Sequence, residues 1–227
     1  MNNTIRKLGY WSSAVSLTTF LLYTLCFVAN YAANPSFVWT NSGDFIAYAS
    51  THNQVFKHIA MALMLVFSLS FLVQLECLRE SVGAEKQFFV RTAIHFAIAF
   101  AVLIGINYFV QIGAIRLQML ANRAEGIAQF VQSNPNSFIN AVNLLGWTVF
   151  LGLACIFASP AMGKGRIERI IKISLLANGF MMLLSSVAYI FSITIVQALF
   201  LFIGLGAAII VESAAMCAYF KRYPPVR

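Results

Sequence analysis

The stretch "TAIHFAIAFAVLIGINYFVQIGAIRLQMLANRAEGIAQFVQ", residues 92–132, decides the fold. Residues 92–114 carry no Asp, Glu, Lys or Arg and exceed the ~20 apolar residues that cross a hydrocarbon core as a helix. Lipid offers the backbone no hydrogen-bond partners, so such a run must be helical. Polar side chains then keep helical time through it and beyond it: Asn107, Gln111, Gln118, Asn122, Glu125, Gln129 and Gln132. Their steps of three, four or seven residues place them on one stripe of one helix. The spacing predicts that this helix, the third of the chain, continues past the membrane to about residue 132.

The other side of that extension carries Leu117, Leu120, Ala124, Ile127 and Val131, which an upright helix would expose to water. Three coverings stay open: a tilt at Gly113, packing on the outer segment that follows helix 1, or a second copy of the chain. Arg116 and Arg123 project opposite the amides, within reach of lipid phosphates. Inside the span, Asn107 and Gln111 must face the bundle. Asn140 and Asn143 enter helix 4 at the same depth and are their natural partners. These amides read either as interhelical hydrogen bonds worth ~0.6 kcal/mol each or as a polar vestibule open to the outside. In the second reading the ligand-binding candidates are Asn107, Gln111, Gln118, Glu125, Asn140 and Asn143.

Working outward, five more apolar runs match the first. The six spans are about 11–33, 58–77, 92–114, 138–159, 173–193 and 196–219, within a single membrane domain over 1–227. Composition agrees: 60% of residues are hydrophobic and only 10% charged, with a mean hydropathy of +0.81. The expected fold is an all-α, six-transmembrane-helix bundle with an extended helix 3. Its first apolar run is too long for a cleaved secretory signal and is read as a retained helix.

The net charge of +8 does not point to nucleic acid, because its basic residues sit in clusters between the spans. Twelve of the fifteen fall on one side: Arg6, Lys7, Arg79, Lys86, Arg91, Lys164, Arg166, Arg169, Lys172, Lys221, Arg222 and Arg227. Only Lys57, Arg116 and Arg123 fall on the other. The positive-inside rule then puts both termini in the cytoplasm. Cys26, Cys77, Cys155 and Cys217 lie on four different helices without a C-x-x-C pair, as small core residues rather than disulfide partners.

The outer segment "NPSFVWTNSGDFIAYASTHNQVFK", residues 34–57, is dense in aromatics that anchor at headgroups, with a lid over a binding site as the alternative. It predicts a short interfacial helix over 44–50, with Thr51 capping helix 2. "NPSF" at 34–37 and "NPNSF" at 134–138 read as two independent turn-and-cap devices, with Asn136 or Ser137 capping helix 4.

A second polar set belongs to the cytoplasmic half: Glu76, His95, Asn178 and Glu212. Glu212, among "AAIIVESAAM", is the candidate acid or base of an intramembrane enzyme, and otherwise a buried structural group that must be protonated or paired. Ser174, Asn178 and Lys172 reach similar depth. Haem is not expected: His58 opens helix 2 outside and His95 opens helix 3 inside, so one iron cannot take both. No zinc-protease, serine-hydrolase, nucleotide-loop or paired-cysteine motif occurs, so neither metal nor cofactor is expected. The small residues "GLGAA" at 204–208 and the Ser12, Ser16, Thr19, Tyr23 stripe read as close-packing faces.

"YFVQ" at 108–111, an Arg, "EG" at 125–126 and "NPNSF" at 134–138 together resemble a group of uncharacterised bacterial multispan membrane proteins. The resemblance runs from helix 3 into helix 4, about a fifth of the chain, and implies a six-helix architecture but no activity. The expected location is a bacterial inner (plasma) membrane, with the lipid bilayer as a partner. Amides recognise more readily than they catalyse. The expected function is therefore non-enzymatic binding or transport of a small or lipid-like molecule through the outer vestibule. An enzyme using Glu212, or an assembly subunit whose polar stripe recruits a partner, is the alternative.

Single cysteines introduced into a cysteine-free background test the orientation. Residue 125 should label from outside intact cells and residue 166 only after permeabilisation. The reverse pattern would invert the topology.

Overall fold

The computed structural model describes residues 2–222; Arg227, counted above on the cytoplasmic side, lies outside them. Six helices are long and apolar enough to cross a membrane. They are α1 (Asn3–Ala33), α3 (Val55–Arg79), α4 (Ala84–Leu120), α5 (Phe138–Ala161), α6 (Arg166–Ile190) and α7 (Thr194–Arg222). A short helix, α2 (Ser42–Thr51), lies between α1 and α3. No strand occurs among the described residues. The chain is an all-α polytopic membrane protein.

Each spanning helix packs on the next in chain order, and α7 returns to pack on α1. The result is a closed ring of six. Both ends of the described chain meet at one end of it: a side chain at Gly9 would collide with the ring of Phe220. This is the terminal end; the other, holding α2 and residues 121–137, is called the α2 end. Side chains such as Trp11, Leu25, Leu69, Phe109 and Ile195 are exposed, as expected where hydrocarbon replaces water.

The ring is filled rather than open. Phe67 stacks on Trp147 with centroids 5.9 Å apart, and Phe100 meets Trp147 edge-on at 4.9 Å. Phe20 and Phe71 complete this fully buried aromatic layer. Small polar residues line the tighter seams. Ser12, Ser13, Ser16 and Thr19 of α1 are buried, and Ser16 shares a 2.8 Å hydrogen bond with Ser70 of α3. Gly204 sits against Met181, as a close-packing face requires, whereas Gly206 faces open space. A tighter approach joins α5 to α6 at Gly152 and Gly179, a pair that local pattern does not single out. The four cysteines are free thiols, none paired with another.

The extended third helix is the main correction. It runs to Leu120 and not to residue 132. Asn122 takes a left-handed backbone (φ 51°), and the N–H groups of Asn122 and Arg123 bond back to the carbonyls of Met119 and Gln118. This is the helix-ending arrangement that Gly usually supplies and Asn tolerates. The chain then reverses through turns, with Gly126 at φ 73°. Within α4, residues Gln111–Ile115 form one wide π-helical turn containing Gly113.

Smaller boundaries also shift. The interfacial helix is longer than 44–50, because Asn41 caps it by accepting from the Asp44 N–H at 2.9 Å. Thr51 does not cap α3; its hydroxyl donates to the carbonyls of Ala47 and Tyr48 at the end of α2. Ser137 caps α5 by accepting from Asn140 N–H at 3.1 Å. The α6–α7 hairpin is tight, turning at Ser192 (φ 57°).

The Gly152–Gly179 contact is testable. A Cβ at Gly179 would stand 2.8 Å from the Gly152 carbonyl oxygen and closer still to Ile156. Backbone cannot give way as a side-chain tip can, so Gly179→Ala should cost about 1–3 kcal/mol. A lowered thermal midpoint in detergent is the expected result, and an unchanged one would refute the close approach.

Candidate functional site

At the α2 end, the reversal after Asn122 brings the later amides of the stripe back onto the earlier ones. Asn107 on α4 donates from Nδ2 to Asn143 Oδ1 on α5 at 2.9 Å and to Gln132 Oε1 at 3.2 Å. One turn further along α4, Gln111 grips the returning chain twice. Its Nε2 donates to the Phe130 carbonyl at 2.7 Å, and its Oε1 accepts from the Gln132 N–H at 3.1 Å. Gln129 accepts from the Phe138 N–H at 2.9 Å and so ties the loop to the start of α5. Asn134 closes the loop on itself through the Ala128 carbonyl. Beneath it, Ile127 and Val131 pack with Ile115 against Phe45 and Ile46 of α2. Of the three coverings open for that apolar face, the outer segment is the one adopted, although Leu117 and Leu120 remain exposed.

The six vestibule candidates therefore part company. Asn107, Gln111 and Asn143 are buried and bond to protein partners, and Asn107 Oδ1 is a buried atom without one. Asn140 turns back to the Pro135 carbonyl. Glu125 is exposed and Gln118 half-buried, and neither joins the knot.

A cavity of about 310 Å³ opens beside this knot, between α1, α2, α3 and residues 132–133. Phe27, Phe37, Phe45 and Met61 give it apolar walls. Tyr108 of α4 also lines it, nearly buried, its hydroxyl accepting from Trp147 Nε1 at 3.1 Å. Polar groups line much of the rest, among them Asn30, Asn34, Gln54, Lys57, Gln132 and Ser133. Lys57 Nζ donates to Ser133 Oγ at 3.0 Å and stands 5.6 Å from the Phe45 ring centroid. None of the six vestibule candidates lines this space. Its signal in the sequence was a lone lysine opening a spanning helix directly after an aromatic-rich segment, read there only as an outer charge. The aromatics of 34–57 supply part of its wall through Phe37, Phe45 and Tyr48, with Phe37 and Tyr48 rings 5.0 Å apart.

Towards the terminal end, Glu212 of α7 is 1% exposed and accepts from Gln74 Nε2 of α3 and from its neighbour Ser213. Gln74, absent from the expected set, was legible by the argument used for Asn107: an amide inside a span must find a partner. The rest of the set does not assemble. Glu76 pairs with Arg79 at 3.2 Å near the end of α3. His95 lies about three turns into α4 rather than at its start, and is exposed. Asn178 is buried with both amide atoms unpartnered, and Lys172 is exposed. Along α3 the interval from Met61 to Gln74 is about 20 Å, occupied by Met64, Phe67 and Phe71. The cavity and Glu212 are thus separate places.

Compared with known proteins, the chain matches no family model, no curated protein and no solved structure.

Gln111 makes two loop contacts, each worth about 0.5–1.5 kcal/mol. Gln111→Leu should speed amide exchange over residues 127–134 by about tenfold or more, while the α3 and α6 amides stay protected. Unchanged exchange in the loop would show that Gln111 does not hold it.

Proposed function

We propose that this protein binds a small or lipid-like molecule in the cavity between α1, α2, α3 and residues 132–133, and that it does so without chemical transformation. The cavity itself carries the reading. Its volume of about 310 Å³ stands at the lower end of small-molecule sites, and it joins apolar walls to an equally extensive polar lining of tyrosine, amide and hydroxyl groups with one lysine. The expected vestibule moves accordingly, from the amide knot to the space beside it, and the knot becomes the support of one wall through Gln132.

Binding is favoured over transport by the aromatic layer of Phe67, Phe71, Phe100 and Trp147, which fills the ring beneath the cavity. It is favoured over catalysis by the separation of Glu212 from that cavity. Lysine and arginine asymmetry supports placing the α2 end, and so the cavity, on the outer side of a bacterial inner membrane. Single-chain amphiphiles arriving from the outer leaflet or the adjoining aqueous space would then have direct access.

Ala60 is 6% exposed and lines the cavity. Ala60→Phe should fill the space. Native mass spectrometry from phosphatidylcholine nanodiscs, with dodecanol or lauric acid added, should show an adduct on the wild type and none on a folded Ala60→Phe protein. Equal adducts on both proteins would reject the cavity as the binding place.

A further inference from the structure

We propose that the cavity selects amphiphiles whose head is an anion, a carboxylate or a phosphate monoester, held by Lys57. The inference rests on the binding reading above and adds the chemical class of the ligand.

Lys57 is the one Lys, Arg, Asp, Glu or His side chain among the described residues lining the space. No carboxylate among the described residues lies within ion-pair distance of it; the ion pairs found there are those of Arg79. An ammonium has three donors, and among the described residues the one acceptor bonded to Lys57 Nζ is Ser133 Oγ. Two donors are left over on a half-buried side chain that borders apolar walls. Such a cation ordinarily has a counter-charge or reaches open solvent.

The neighbouring groups point the same way. Ser133 uses its oxygen to accept from Lys57, which leaves its own hydroxyl proton to give. Tyr108 likewise accepts from Trp147 and keeps its proton. Gln132 accepts from Asn107 through Oε1, and its Nε2 donates to no acceptor among the described residues. Asn30 accepts from Asn34 Nδ2 through Oδ1, leaving its own Nδ2 in the same condition. These four groups set donors around one positive charge, while Gln54 Oε1 and Asn34 Oδ1, whose amide nitrogens donate to the protein, leave acceptors for a hydroxyl or water elsewhere in the lining. A ligand that satisfies these donors must be rich in acceptors and negative, while Phe27, Phe37, Phe45 and Met61 require an apolar remainder. A cationic head would meet Lys57 as a like charge, and a neutral alcohol would leave the ammonium uncompensated.

The head chemistry has two sources, an anionic phospholipid of the bilayer or a free acid. Lauric acid, dodecyl phosphate, dodecanol and dodecyltrimethylammonium share one chain and differ only in the head. Each is titrated at neutral pH into the protein in phosphatidylcholine nanodiscs, with occupancy read by native mass spectrometry. The wild type should bind laurate and dodecyl phosphate at least about tenfold more tightly than dodecanol, the scale of a charged hydrogen bond, and the trimethylammonium weakest. In Lys57→Met the anions should fall to within about twofold of dodecanol, with dodecanol unchanged, and Lys57→Arg should restore the preference. Wild-type protein that binds dodecanol as tightly as laurate, or Lys57→Met protein that keeps the anion preference, overturns the proposal. The wild-type comparison decides the matter even where Lys57→Met does not fold. If dodecanol and laurate bind equally and Ala60→Phe abolishes both, the cavity stands and only the head assignment falls. If no probe binds the wild type, both readings fall together. Adding phosphatidic acid, whose head is a phosphate monoester, to the nanodiscs separates the sources: displacement of laurate identifies a bilayer lipid as occupant, and retention of laurate a free amphiphile.

Discussion

Hydrocarbon cannot hydrogen-bond an amide, so every amide inside the spanning region must be answered by the protein itself. In this chain the requirement falls on Asn107 and Gln111, one turn apart on α4. Asn143 answers Asn107 from α5, and the chain itself comes back to answer Gln111, through the Phe130 carbonyl and the Gln132 N–H. That return places Ile127 and Val131 on Ile115, Phe45 and Ile46, and so fixes where α2 can sit. The cavity wall made by Gln132, Ser133 and Phe45 follows from the same contacts.

Below this level the ring is held by different means. Between the α2 end and Glu212, interlocked aromatic rings take the place of polar networks. Helix approaches elsewhere depend on small residues, with Gly152 and Gly179 bringing α5 and α6 together where lipid supplies no hydrophobic drive for association. The Glu212–Gln74 contact is a further polar tie across the bundle, joining α7 to α3.

The proposed ligand chemistry is a consequence of this division. The knot consumes Asn107, Gln111 and Asn143, so the polar groups left to a ligand are those of the cavity lining, with Lys57 as its one charge among the described residues. Lys57 adds charge where the first turn of α3 borders the apolar walls. Recognition by such a site would depend on a single charge contact and on shape. The filled ring beneath suits it to holding a molecule at one end of the bundle.

Much of the architecture was written in local pattern. Run length and polarity decide which segments can be helices in lipid, and that physics needs no knowledge of neighbours; hence six spans were legible, as was a cap at Asn136 or Ser137, of which the structure uses Ser137. The inward orientation of Asn107, Gln111 and Asn143 was legible for the same reason, since an amide has no other place to go. The course of the chain after Leu120 was not. A period near 3.6 records which residues share a face, but it continues unbroken through a sequence whose helix has already ended. Asn122 could serve as one more polar position on a stripe or as the left-handed residue that stops the helix. The contacts formed by the reversed chain, Gln111 on its backbone and Ile127 and Val131 on α2, accompany the second choice. The cavity likewise belongs to no local pattern, because α1, α2, α3, Tyr108 of α4 and residues 132–133 each contribute one part of its wall. Sequence alone determined what must be buried and what must be paired; only the tertiary structure decided with whom, because partners separated along the chain meet through the packing of whole helices.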